Sequence, residues 1–180
     1  QEGLGLYCRC PCRSRRARMN DNEDGKARFD RRILYAFLIG TLVVGTTASV
    51  FTEPSIAGWY ASLTKPTFNP PNWIFAPVWT ALYVMMAVAA WRAWRFAGVM
   101  SVALMLYFLQ LTLNFAWSLI FFSLHLIDVA LIDIVALWIA ILATSIAFIR
   151  ADKVAGLLML PYLAWVSFAA VLNAEIWRLN

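Results

Sequence analysis

The sequence predicts an all-α integral membrane protein: a five-transmembrane-helix bundle with a proline- and tryptophan-rich first loop acting as a lid. Composition carries the first half of that statement. The 180 residues are 62% hydrophobic and only 14% charged, and the mean hydropathy is +0.69. A water-soluble domain of this size cannot hide so much apolar surface, because ordinary usage is about half apolar and a quarter charged. Two further observations carry the rest. Five apolar runs each reach the ~20 residues needed to cross a ~30 Å hydrocarbon core. Between the first two lies GWYASLTKPTFNPPNWIFAPVW, residues Gly58 to Trp79, which holds Pro66, Pro70, Pro71 and Pro77 among aromatic residues.

Residues 1–32 differ from everything after them. They hold Cys8, Cys10 and Cys12, the run Arg13, Arg15, Arg16 and Arg18, and a polar patch from Asn20 to Lys26. This composition is expected to form a disordered basic tail. A C-x-C-x-C spacing is not a zinc pair and no fourth cysteine completes a site, so no metal is expected there. Met19 reads as an alternative start, with residues 1–18 an upstream or added extension. With no short apolar core followed by a small-residue cleavage site, a removable signal peptide is not expected.

The helices follow as residues 33–52, 73–94, 99–124, 127–149 and 154–177. Connections after the second, third and fourth are a few residues long, so consecutive helices are antiparallel neighbours. The net charge of +5 does not point to nucleic acid; its placement reports topology. The tail with Arg92, Arg95, Arg150 and Lys153 falls on one side, and only Lys65 and Arg178 on the other. The positive-inside rule then puts the N-terminus in the cytoplasm and the loop outside, with a bacterial cell membrane favoured.

The first connection, Glu53 to Asn72, is the only one long enough to fold over an end of the bundle. Pro66, Pro70 and Pro71 fix φ and push the residues before them towards extended shapes, so the loop is held in place. Trp59, Tyr60, Phe68 and Trp73 are residues that settle at a membrane–water boundary. Either the stretch is a semi-rigid lid, or it is an interfacial connector. Lys65, its only cation, is placed to meet a carboxylate or to be solvated.

Inside the spans, Gln110, Asn114, Trp117 and Phe121 share one face of the third helix, and Tyr162, Trp165, Ala169 and Asn173 one face of the fifth. Trp79 and Tyr83 share a face of the second; Trp138 and Ser145 share one of the fourth. Amides are costly in hydrocarbon and face the bundle interior. An aromatic belt accounts for Trp59, Trp73, Trp91, Trp94 and Trp177 at helix ends, but not for Trp79, Trp117, Trp138 and Trp165. The deeper four are either ordinary packing tied by Asn114 and Asn173, or the walls of an aromatic cavity for a bulky apolar ligand. Pro161 frees the carbonyl of Leu157 and is expected to kink the fifth helix. Asp133 is expected to snorkel or to pair with Lys65 or Arg178. His125, the only histidine, is either a solvated helix-end residue or an iron ligand. No Ser/His/Asp set, metal cluster or phosphate loop appears, so no catalytic residues are assigned.

Taken together, W-Y-x-x-L-x-K-P-x-x-N-P-P-x-W (Trp59 to Trp73), P-V-W-T-x-L-Y (Pro77 to Tyr83), L-N-x-x-W (Leu113 to Trp117) and P-Y-L-x-W…L-N-x-x-x-W-R-L-N (Pro161 to Asn180) closely resemble the TspO/MBR family. This is the family of bacterial tryptophan-rich sensory proteins and the mitochondrial translocator protein. The resemblance covers residues 33–180 and not the tail. It implies a five-helix bundle, usually a homodimer, whose pocket under the first loop binds protoporphyrin IX or haem, sterols, and isoquinoline or benzodiazepine ligands. No cofactor is required; the porphyrin is a ligand. The family's pocket positions matched here are Trp79, Asn114, Trp117, Trp138 and Trp165, with Tyr60 and Pro66 in the loop. Thr67 and Phe68 stand where many bacterial members carry tryptophan. Ala174 stands where the cholesterol motif needs tyrosine, which counts against sterol without deciding it.

Three function classes fit: a porphyrin receptor or transporter in stress or tetrapyrrole regulation, an enzyme-like light-dependent degradation of protoporphyrin IX by pocket indoles, and a ligand-controlled scaffold for partner proteins. For assembly, small residues are expected to form the contact, Ser101 and Ala103 on the third helix or Gly40, Gly45 and Ala48 on the first.

Overall fold

The computed structural model of the chain describes residues 12–98 and 101–180, with side chains from residue 25 onward. Helix α1 runs Cys12–Ala57, a single turn α2 covers Trp59–Ser62, and a 3₁₀ turn at Asn72–Ile74 leads into α3 (Phe75–Ala97). Then come α4 (Val102–Ser118) with a π turn at Leu119–Ser123, α5 (Ile127–Ala151) and α6 (Lys153–Leu179). Five of these helices are long and apolar enough to cross a membrane, beginning with Gly25–Ala57. The protein is therefore a multi-pass all-α membrane protein, and the described residues contain no strand.

The helix ends have local causes. Gly98 takes φ +77° after α3 and its N–H returns to the carbonyl of Trp94 at 2.9 Å, a left-handed stop that glycine adopts without Cβ strain. Ser101 caps α4 and Asp152 caps α6, each side chain accepting from a backbone N–H of the first turn.

Two expectations about α1 are corrected. Residues 12–32, expected as disordered tail, continue the helix, and the helix runs on beyond Thr52 to Ala57. Hydropathy ends at the bilayer edge, whereas the helix is held past it by tertiary contacts. Phe29 packs on Trp94, Asp30 pairs with Arg95 at 3.5 Å, and the Trp91 indole donates to the Asp30 carbonyl at 3.0 Å. The expectations for residues 1–11, Cys8 and Cys10 among them, lie outside the described residues. The first connection consequently shortens to residues 58–71.

The buried core is a polar-studded seam. Gln110, Asn114, Thr144, Ser145 and Asn173 are buried, with Tyr107 and Tyr162 fully so. The face expected for α4 is the buried one: Gln110, Asn114, Trp117 and Phe121 all turn inward. Helix α5 packs along the backs of α4 and α6. Gly45 and Ala48, expected on a free face of α1, are turned inward instead. A Cβ built on Gly45 would stand 2.5 Å from the Tyr83 ring, and Ala48 is buried. Ala103 is likewise buried.

A lidded aromatic cavity as candidate functional site

At the lid end, α1, α3, the end of α4 and α6 part to enclose a cavity of about 450 Å³. Its walls are largely aromatic: Tyr60, Phe75, Trp79, Tyr83, Trp117, Phe121, Phe122 and Trp165. The sequence builds each wall locally. In α3, Trp79 and Tyr83 are one turn apart, with ring centroids at 5.7 Å. In α4, Trp117 stacks on Phe121 at 5.3 Å. The π turn then widens the helix by one residue, so consecutive Phe121 and Phe122 both reach the wall. The carbonyl of Phe122 accepts from Ser55 Oγ at 2.6 Å, which ties the end of α1 to that turn.

Polar atoms around the cavity are mostly satisfied by the protein itself. Trp117 Nε1 donates to Asn173 Oδ1 at 3.1 Å, and Asn173 Nδ2 donates to the carbonyl of Ile127 at 3.0 Å. One buried donor is not satisfied: Trp165 Nε1, in a residue of the cavity wall, has no hydrogen-bond partner.

Among residues 58–71, Tyr60 is the one that lines the cavity. The Tyr60 hydroxyl donates to Asn69 Oδ1 at 2.8 Å, and the N–H of Asn69 donates to the carbonyl of Pro66 at 3.0 Å. Burial pushes the Tyr60 phenol above its ordinary pKa, which keeps it a neutral donor. Trp59 stacks on His125 at 4.1 Å, with His125 at φ 58° in the connection after the π turn. His125 thus serves as a lid contact. Lys65 bonds the carbonyls of Ala61 and Leu63 and lies over the Tyr60 ring, inside the lid's own fold.

The sequence pattern of the TspO/MBR family matches residues 37–178. The chain belongs to the TspO/MBR family. A relative from Chlorobaculum tepidum named tryptophan-rich protein TspO is 44% identical over 143 residues, covering 77% of this chain and 90% of that protein. A protein of the same name from Archaeoglobus fulgidus is 43% identical, covering 82% of this chain and 96% of its own. The translocator protein of Sus scrofa is 37% identical, with 79% and 89% covered.

In this TspO/MBR chain the expected pocket residues divide. Tyr60, Trp79, Trp117 and Trp165 line the cavity together. Asn114 stands behind the wall, accepting from the Tyr83 hydroxyl at 2.5 Å and donating to the Tyr162 hydroxyl at 3.1 Å. It orients the rings and does not face the cavity. Pro66 shapes the lid turn without lining the cavity. Trp138 is a correction: it lies on α5, which contributes nothing to this cavity, and its Nε1 donates to Ser167 Oγ on α6 at 2.8 Å. Ser145, on the same helix, donates to the carbonyl of Ile141. Asp133 meets neither Lys65 nor Arg178; Arg178 pairs with Glu175, and Asp133 Oδ2 is buried without a partner.

Sequence reasoning missed the α1 wall, where Leu42, Gly45, Thr46, Ser49 and Thr52 border the cavity. Their signal was present as small and hydroxyl residues at helical spacing. Thr46 and Thr52 satisfy their hydroxyls on carbonyls one turn back, so they cost nothing inside the membrane.

Proposed function

We propose that this protein is a membrane receptor or transporter-like protein that takes porphyrins, protoporphyrin IX and haem-pathway tetrapyrroles foremost, and other bulky apolar ligands into the lidded cavity. Its role on this reading is in stress or tetrapyrrole regulation. The observation that carries the reading is a cavity of about 450 Å³ whose walls are largely aromatic, three of them indoles. That volume falls in the ~300–1,000 Å³ range of small-molecule sites. Flat π-rich ligands gain from the ring faces that line the cavity. The test is a titration of protein in liposomes with protoporphyrin IX, read by quenching of tryptophan fluorescence. Saturable quenching that falls in Trp117→Ala supports the reading; quenching that does not saturate overturns it.

A second reading is favoured by the three indoles, Trp79, Trp117 and Trp165, that share the wall: light-dependent degradation of protoporphyrin IX. Porphyrin absorbance followed lit and dark separates them. A receptor leaves the absorbance unchanged, a transporter moves it across the bilayer, and degradation bleaches it only in light.

For assembly we propose a homodimer through the outward face of α4, where Val102, Met105, Phe108 and Leu109 are exposed. Cysteine at Met105 should cross-link two copies, and cysteine at Ile132 on α5 should not.

A further inference from the structure

We propose that Asn180 is the latch of the lid, a positioning residue that sets how fast the loop opens and, on the reading of the preceding subsection, how fast a ligand leaves. Among the described residues, the only hydrogen bonds between residues 63–70 and the five spanning helices run to this side chain. The Thr64 N–H donates to Asn180 Oδ1 at 2.9 Å, and Asn180 Nδ2 donates to the Thr64 carbonyl at 3.0 Å. The carboxamide thus pairs with the backbone N–H and C=O of one residue, as a neighbouring strand would, filling both its donor and its acceptor. Its second N–H goes to the carbonyl of Ile176 at 2.9 Å, one turn back in α6. That third bond fixes the side chain before the lid arrives. Flipping the amide would set a donor against a donor and an oxygen against two carbonyls, so only one orientation satisfies all three.

The rest of the lid's hold is of a different kind. Phe68 touches Phe168 at 6.3 Å and Trp59 stacks on His125; such ring contacts slide, whereas a paired amide has one register. Thr64 sits at the head of the proline-stiffened segment, so freeing it frees a semi-rigid arm as a unit. Aspartate at 180 could still accept from the Thr64 N–H but would set its other oxygen against the Thr64 and Ile176 carbonyls and lose both of those bonds. Alanine would lose all three bonds.

The experiment compares the parent protein, Asn180→Ala and Asn180→Asp in liposomes, each with Cys8, Cys10 and Cys12 changed to Ser and carrying Ala169→Cys as a reporter in the cavity wall. Two readouts need no ligand: hydrogen exchange at the Thr64 amide, and labelling of the reporter by a membrane-impermeant thiol reagent. The third is the dissociation rate of protoporphyrin IX. Both substitutions are expected to speed all three by roughly tenfold, the scale of one or two net hydrogen bonds. Glu175→Gln, which breaks only the exposed pair with Arg178, should change none of them. A merely structural role in ending α6 would shift melting temperature and leave Thr64 exchange unchanged, and that result overturns the latch. Faster exchange and labelling with an unchanged dissociation rate overturns its control of release. Faster exchange and labelling in a protein that never binds protoporphyrin IX upholds the latch and counts against the porphyrin reading alone.

Discussion

A buried indole N–H without an acceptor costs free energy, which makes Trp165 a residue where stability and binding should separate. Trp165→Phe keeps an aromatic ring and removes the donor. It is expected to raise thermal stability slightly while leaving protoporphyrin IX binding, which the ring supports, within error. A melting curve and a quenching titration on the same sample check it. Trp117→Ala removes a buried wall ring and should cost about 1–3 kcal/mol of binding, whereas Trp138→Ala, behind the wall on α5, should leave affinity within error. Gly45→Ala pushes a methyl onto the Tyr83 ring and should destabilise the fold by about 1–3 kcal/mol. These residues also show what was legible. Trp79, Trp117 and Trp165 were readable as off-belt tryptophans. Helical spacing relates residues on one helix and says nothing about the rotation of that helix against the bundle. Trp138 and Gly45 were misplaced for that reason: one faces α6, and the other faces the cavity that was expected elsewhere.

At the scale of elements, the lid and the connection between α5 and α6 make opposite demands on the sequence. The lid was legible because proline acts on its own neighbours. Replacing Pro70 and Pro71 together by Ala should leave all five spans inserted, since both lie in residues 58–71. It should raise proteolysis between Thr64 and Asn72 and speed ligand dissociation, because a looser segment must be ordered again on binding. Rates equal to wild type would make the loop a plain connector. The α5–α6 corner was not legible, because it depends on a side chain from α3. Arg92 Nε bonds Asp152 Oδ2 at 2.5 Å while Oδ1 caps α6 at the N–H of Val154. The hydrogen bond from Arg92 holds the Asp152 carboxyl below its usual range. The folded state therefore binds fewer protons than the unfolded one. This contribution is fully present above the usual carboxylate range and is lost as pH falls through the folded-state value. Asp152→Asn keeps an effective cap and removes the charge. Its melting temperature should be lower than wild type at neutral pH and converge with it in acid.

At the scale of the whole molecule, five crossings follow from hydropathy, and charge sets the expectation for which side the lid faces. The end opposite the lid carries Lys26, Arg28, Arg31, Arg32, Arg92, Arg95, Arg150 and Lys153 among the described residues; the lid end carries Lys65 and Arg178. Two of the arginines are paired with acids, Arg95 with Asp30 and Arg92 with Asp152. The orientation rule counts Lys and Arg and is not a net-charge rule, so the pairing does not weaken the bias. The lid is therefore expected to face away from the cytoplasm. A protein with Cys8, Cys10 and Cys12 changed to Ser supplies the background for the check. Cysteine at Thr67 in the lid should react with an impermeant thiol reagent in intact cells. Cysteine at Ala97, at the end of α3, should react only after the membrane is opened. Labelling of Ala97→Cys alone in intact cells would invert the bundle and place the lid on the cytoplasmic side.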